Sequence, residues 1–151
     1  MRTTCLVVAD STSARIFSAN ARLTELDERF DLVNPKGHLQ DHEIDSDRPG
    51  RQTTGTGLQS GAAGSHGYGG DKSSQRHSMA IFAAQIATQL ESERQAGNFQ
   101  QLILIAPSRM LGEVHKQLST GCQKLLARQI DKRLVDASEE EILVRLAESA
   151  P

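Results

Sequence analysis

Between residues 35 and 75 the chain holds nine of its twelve glycines: Gly37, Gly50, Gly55, Gly57, Gly61, Gly64, Gly67, Gly69 and Gly70. The only large apolar side chains there are Leu39, Ile44, Leu58 and Tyr68. Such a stretch cannot bury enough apolar area to offset the entropy lost in ordering it. It predicts a long Gly- and His-rich loop over 35–75, a length that in compact domains is functional or disordered. The core must then come from the two flanks. At 151 residues the chain is expected to form one domain carrying this insertion, large enough to bury roughly 70% of its unfolded surface without a disulfide or metal.

Aromatic residues make up 3% of the chain, with no Trp and one Tyr, so the core must be aliphatic. The aromatics Phe17, Phe30, Tyr68, Phe82 and Phe99 sit, four of the five, in apolar patterns, which argues against an aromatic platform for stacked bases or sugars. A net charge of −2 does not mark a nucleic-acid binder by itself.

The first flank reads as strands. Residues 3–9 form an apolar run ending in Asp10-Ser11-Thr12-Ser13, turn residues whose side chains bond nearby backbone N–H groups. Residues 14–18 resume as the return strand of a hairpin. Residues 25–34 alternate, with Leu26, Glu28, Phe30 and Leu32 on one face, as expected for an edge strand; Pro35 and Gly37 end it. Self-association through that edge stays open.

The second flank alternates helices and strands. Met79, Phe82, Ala83, Ile86 and Leu90 make one apolar stripe, predicting a helix over 75–95 that Gly97-Asn98 stops. Residues 102–106 are continuously apolar, the pattern of a strand covered on both faces. Pro107-Ser108 opens a helix with Ser108 as its N-cap and Met110, Leu111, Val114 and Leu118 buried; Gly121 is expected to close it. Residues 125–135 read as another strand. Ser138 with Glu141 forms a capping box ahead of Ile142, Leu143 and Leu146. The order β-β-β, loop, α-β-α-β-α predicts an α/β fold with a mixed β-sheet and packed helices.

No run approaches the ~18 apolar residues of a membrane span, and the N-terminus lacks the pattern of a secretory signal. Cys5 and Cys122 stand far apart in sequence; two reduced thiols suit a cytoplasmic location.

Charge is uneven. Residues 109–133 carry Arg109, Lys116, Lys124, Arg128, Lys132 and Arg133 against Glu113 and Asp131. Residues 134–151 carry Arg145 against Asp136, Glu139, Glu140, Glu141 and Glu148. The first segment is either a face for phosphate backbone or a solvated surface that the second partly neutralises. His38 and His42 lie among Asp41, Glu43, Asp45 and Asp47, but no spacing fits a zinc pattern, so no metal is assigned. Asp10 could serve a metal-dependent nuclease only with partner carboxylates, which the core strands lack; it reads as a turn residue. Ser108 lacks the glycines of a nucleophile elbow. The Gly-rich segment carries neither phosphate-loop pattern. No catalytic residue and no cofactor are assigned.

Three stretches together resemble a known family. They are Leu6-Val7-Val8-Ala9-Asp10-Ser11-Thr12-Ser13-Ala14-Arg15-Ile16-Phe17, then Ser46-Asp47-Arg48-Pro49-Gly50-Arg51, then Leu102-Ile103-Leu104-Ile105-Ala106-Pro107-Ser108-Arg109-Met110-Leu111-Gly112. Their order is similar to the bacterial family of proteins required for attachment to host cells, over nearly the whole chain, with Asp10, Asp47, Arg48, Pro49 and Gly50 as markers. That family is in turn similar to the middle domain of archaeal and eukaryotic class-I peptide-chain release factors. The resemblance implies a ribonuclease-H-like sheet of translation-machinery type and partners such as the ribosome, rRNA or tRNA. In release factors a Gly-Gly-Gln tip helps water attack the peptidyl-tRNA ester. Here His66-Gly67-Tyr68-Gly69-Gly70-Asp71 resembles that tip with Asp71 where the Gln would stand. A carboxylate there would repel RNA and the developing oxyanion. The resemblance therefore implies binding without hydrolysis, with the basic residues 109–133 on RNA. The other reading is a factor that meets a protein partner in host attachment, without RNA; a nuclease or ester hydrolase ranks last.

Overall fold

The computed structural model describes residues 2–35 and 63–149, the side chains of 63–73 excepted. Its elements are β1 (Thr4–Ala9), β2 (Ser13–Ala19), β3 (Leu26–Val33), α1 (Ala63–Gln95), β4 (Gln101–Ala106), α2 (Ser108–Gln117), α3 (Thr120–Leu125), β5 (Leu126–Asp131) and α4 (Glu139–Glu148). They form an α/β fold on a five-stranded mixed sheet of order β3-β2-β1-β4-β5. β1, β2 and β3 run as an antiparallel meander, while β4 and β5 lie parallel to β1. β1 is buried along its whole length, because it has a strand on each side and helices on both faces.

Each face of the sheet has its own core. On the near face Cys5, Val7, Ile16, Leu102 and Leu104 pack under Phe82, Ile86 and Leu90 of α1, Met110 and Val114 of α2, and Cys122 of α3. On the far face Leu6, Val8, Phe17, Ile103 and Ile105 pack under Ile142 and Leu146 of α4. Burying one such aliphatic side chain contributes about 1.5–3 kcal/mol. The period-2 alternation of β1 and β4 thus feeds both cores.

Several expectations are corrected. Residues 36–62 of the expected loop lie outside the described residues, but 63–75 belong to the backbone of α1. Glycine costs about 1 kcal/mol relative to alanine in a helix. The packed turns from Ser78 onward nevertheless supply a nucleus, and adding residues to an existing helix needs no new nucleation. Helix α2 ends at Leu118 rather than at Gly121, because Ser119 starts another helix: its Oγ accepts from the Cys122 N–H. The cap position of α2 is Pro107, so Ser108 is not its cap and no side chain caps that end. β5 stops at Asp131; Leu134 and Val135 are buried in the far core without extending the strand. Only half of the capping box forms. Ser138 Oγ accepts from the Glu141 N–H, while the Glu141 carboxylate turns to Arg145 at 3.7 Å.

Both edge strands carry a register shift. In β3 the pairing steps from Ile16↔Phe30 to Phe17↔Glu28, so Arg29 is the extra residue. The alternation expected for 25–34 therefore breaks: Phe30 and Leu32 pack in the near core, Leu26 in the far one. In β5 the pairing steps from Leu102↔Leu126 to Ile103↔Arg128 past Ala127, which turns Arg128 to the far face.

Candidate functional site

The carboxyl ends of β1, β4 and β5 meet the start of β2 and the end of β3 at one edge of the sheet. In open α/β sheets this is the edge where ligands bind. Asp10 organises it. Its Oδ1 accepts from the Thr12 N–H (2.8 Å), the Thr12 hydroxyl (2.9 Å) and the Ser13 N–H (2.9 Å). Its Oδ2 meets the Arg133 guanidinium at 3.1 Å, which also holds Asp136 at 3.1 Å. The turn reading of Asp10 agrees with this geometry. The ion pair adds a link from the hairpin to the segment between β5 and α4 that no local pattern announces.

Asn34 pins a second point on this edge. Its side-chain amide donates to the Ser11 carbonyl (3.0 Å) and the Ser78 hydroxyl (3.1 Å). Asn34 and Ser78 are both buried, so the chain leaves β3 and enters the packed part of α1 at one place. N-terminal to Ser78, residues 74–77 are all exposed. Four consecutive residues span more than a helical turn, so α1 stands clear of the sheet there. The backbone of His66, Gly67, Gly69, Gly70 and Asp71 belongs to this N-terminal part of α1. The markers Asp47, Arg48, Pro49 and Gly50 lie outside the described residues.

The six basic residues of 109–133 are not brought together. Arg109 and Lys116 sit on α2 and Lys124 on α3, all exposed on the near layer. Lys116 lies 3.3 Å from Glu113. Arg128, on the far face, donates to the Leu146 carbonyl at 3.0 Å, where α4 ends. Lys132 is exposed just beyond β5, and Arg133 is engaged by Asp10 and Asp136.

Two further polar clusters escaped the sequence, because their partners lie far apart along the chain. Arg15 Nη1 donates to the carbonyls of Val135 (3.2 Å) and Ala137 (2.8 Å), and its Nη2 pairs with Glu28 at 3.0 Å. The Glu28 hydrogen bond raises the Arg15 pKa. At the base of α1, Glu91 accepts from Arg94 (2.9 and 2.7 Å), from the Ser119 hydroxyl (2.6 Å) and from Gln95 (2.7 Å). Arg94 first, then Ser119 and Gln95, hold its carboxyl well below the usual range. Cys122, 3.7 Å away, has its pKa raised by burial first and by Glu91. Burial, with the Glu93 charge, pushes Cys5 up to about 12. Both are free, buried cysteines, held as neutral packing groups.

Among the described residues no group of three or more His, Cys, Asp or Glu side chains is placed to hold a metal ion. No described helix is long and apolar enough to cross a membrane.

A family model for proteins required for attachment to host cells matches residues 5–146. The chain belongs to that family. The match spans both halves of the sheet, from Cys5 in β1 to Leu146 in α4. No curated protein matches the chain. Among solved structures it resembles the Aquifex aeolicus Ppx/GppA phosphatase, at 8% identity and a TM-score of 0.39. That likeness covers 87% of this chain and 36% of the phosphatase, and it fixes neither fold family nor function.

Proposed function

We propose that this host-attachment-family chain is a non-catalytic, cytoplasmic factor that associates with RNA on the ribosome, in the manner of a release-factor middle domain lacking its hydrolytic tip. The observation that carries the reading is the long helix α1. Its C-terminal half is packed on the sheet, the turn at 74–77 just before Ser78 is exposed, and its backbone includes the Gly-rich residues 66–71. The order of three antiparallel strands, a long excursion, a long helix and two strands parallel to the first agrees with the ribonuclease-H-like sheet that the resemblance implies. Asp71 in place of a Gln argues for contact without ester hydrolysis, since a carboxylate disfavours a developing oxyanion.

Lysate sedimented through sucrose gradients at low and moderate salt tests the reading. Co-migration with ribosomal particles that weakens as salt rises is the expected result. A protein found only at the top of the gradient, in growing and in starved cells, refutes it. The family's own description favours a second reading, a factor acting on a protein partner in attachment; that reading predicts the top-of-gradient result.

A further inference from the structure

The sheet separates two helical layers of opposite charge. Over 74–125, which holds the packed part of α1 with α2 and α3, the cations are Arg76, Arg94, Arg109, Lys116 and Lys124 against Glu91, Glu93 and Glu113. This near layer has a surplus of two positive charges, and exposed His77 and His115 lie on it. Over 132–149, which holds α4 and its lead-in, Lys132, Arg133 and Arg145 face Asp136, Glu139, Glu140, Glu141 and Glu148, a deficit of two. Two of those three cations are paired locally, Arg133 by Asp10 and Asp136 and Arg145 by Glu141 and Glu148; on the near layer Arg94 and Lys116 are paired with Glu91 and Glu113, and Arg109 and Lys124 are exposed.

The helix ends repeat the asymmetry. α2 and α4 both begin at the carboxyl edge of the sheet. The first turn of α2 holds no acidic residue and no side-chain cap, and Arg109 is its second residue. The first turn of α4 is capped by Ser138 and holds three glutamates. A phosphate is attracted to the first of these ends and repelled by the second.

Resting on the RNA reading above, we infer that the phosphodiester backbone of RNA lies across the near layer, over Arg109, Lys116 and Lys124 and towards Arg76, and that the α4 side faces away from it. Phe82 and Phe99 are buried, so these packed helices offer phosphate contacts rather than base stacking. Binding through them is sequence-tolerant and strongly salt-dependent. Asp131, the last residue of β5, is in register with Ala106 of the near core and adds one negative charge at the margin of this layer. Arg128 and Arg133 lie off this layer, bonded to the end of α4 and to Asp10; Lys116, 69% exposed, gives up its exposed pair with Glu113 to meet a phosphate.

The test is equilibrium binding of the full chain to labelled bulk tRNA and to poly(U), from about 50 to 200 mM salt, the range over which phosphate contacts weaken most visibly. The variants are R109E/K116E/K124E, the milder R109Q/K116Q/K124Q, K132E and E140K, each checked for an unchanged urea midpoint. Both triple variants should weaken binding about tenfold or more and lower the log–log salt slope by roughly 2, since each single-stranded phosphate contact contributes about 0.7. K132E and E140K should stay within about twofold of the parent, as expected of side chains outside the contact. Loss of binding in K132E with the triple variants unaffected would overturn the assigned surface and leave the RNA reading standing. A parent protein that binds neither RNA at the lowest salt would overturn both.

Discussion

The role of Asp10 can be separated into its two oxygens by two substitutions. Asp10→Asn keeps an acceptor at the Oδ1 position, which the backbone N–H groups of Thr12 and Ser13 require, but turns their charge-assisted bonds into neutral ones and removes the charge opposite Arg133. That Arg side chain is 58% exposed, so the pair contributes about 0–1 kcal/mol. Asp10→Ala removes the acceptor as well, at a position whose side chain is 9% exposed. Two N–H groups at a buried carboxylate then lose charge-assisted bonds, each about 1.5–3 kcal/mol before water replaces part of them. The expected losses are about 1–2 kcal/mol for Asn and about 2–4 kcal/mol for Ala. For a domain of this size each kcal/mol moves Tm by roughly 2–4 °C. Urea unfolding read by circular dichroism, with thermal melts alongside, measures both. Equal losses in the two variants would refute the turn argument and assign the effect to the carboxylate charge.

Three other perturbations have definite outcomes. The Cys5 thiol, near 9 in an unfolded chain and pushed up to about 12 in the fold, favours the folded state fully below pH 9 and loses that contribution as pH rises towards 12. Unfolding free energies from urea titrations between pH 9 and 10 should fall at a slope of up to about 1.4 kcal/mol per pH unit, and Cys5→Ala should flatten that slope. Gly121→Ala should be close to neutral although alanine is the better helix former, because its Cβ would stand 2.5 Å from Arg94 Cζ and push that flexible guanidinium off Glu91; in an Arg94→Ala background the same change should stabilise by about 0.5–1 kcal/mol, and thermal melts of the four variants show whether the gain appears only there. Arg15→Met should cost about 1–3 kcal/mol through the orphaned carbonyls of Val135 and Ala137. Arg15→Lys should recover little of it, since one ammonium cannot reach both carbonyls and Glu28; denaturant midpoints report both.

What could be read from the sequence was what local pattern determines. The apolar runs of β1 and β4 announced central strands, the stripe from Met79 to Leu90 announced the packed half of α1, and Ser138 announced the start of α4. The faces of the edge strands were illegible. The extra residues Arg29 and Ala127 are set by pairing with a neighbouring strand, and a one-residue shift sends the following side chains to the other face. That shift is why a basic run that looks continuous in sequence is divided, with Arg128 bonded to the end of α4. The helical backbone over 63–75 was hidden by glycine, whose penalty is local while the helix that reaches it is nucleated by packing further on. The Asp10–Arg133 and Asn34–Ser78 contacts join residues 44 or more positions apart, beyond any windowed pattern.

The place of β1 has a consequence for how the protein is made. Its partner β2 follows within a few residues, but its other partner, β4, pairs Thr4 with Gln101. During synthesis this fully buried strand leaves the ribosome well before β4, and its second edge waits for nearly a hundred further residues. Chains emerge at about 5–20 residues per second, so that edge stays open for several seconds or more, as a template for wrong pairing. The β1–β2–β3 meander can form early; closing β4 onto it is the non-local step that should limit the folding rate. A chain cut short before Gln101 would keep this edge open permanently and is the form of this protein most prone to aggregate.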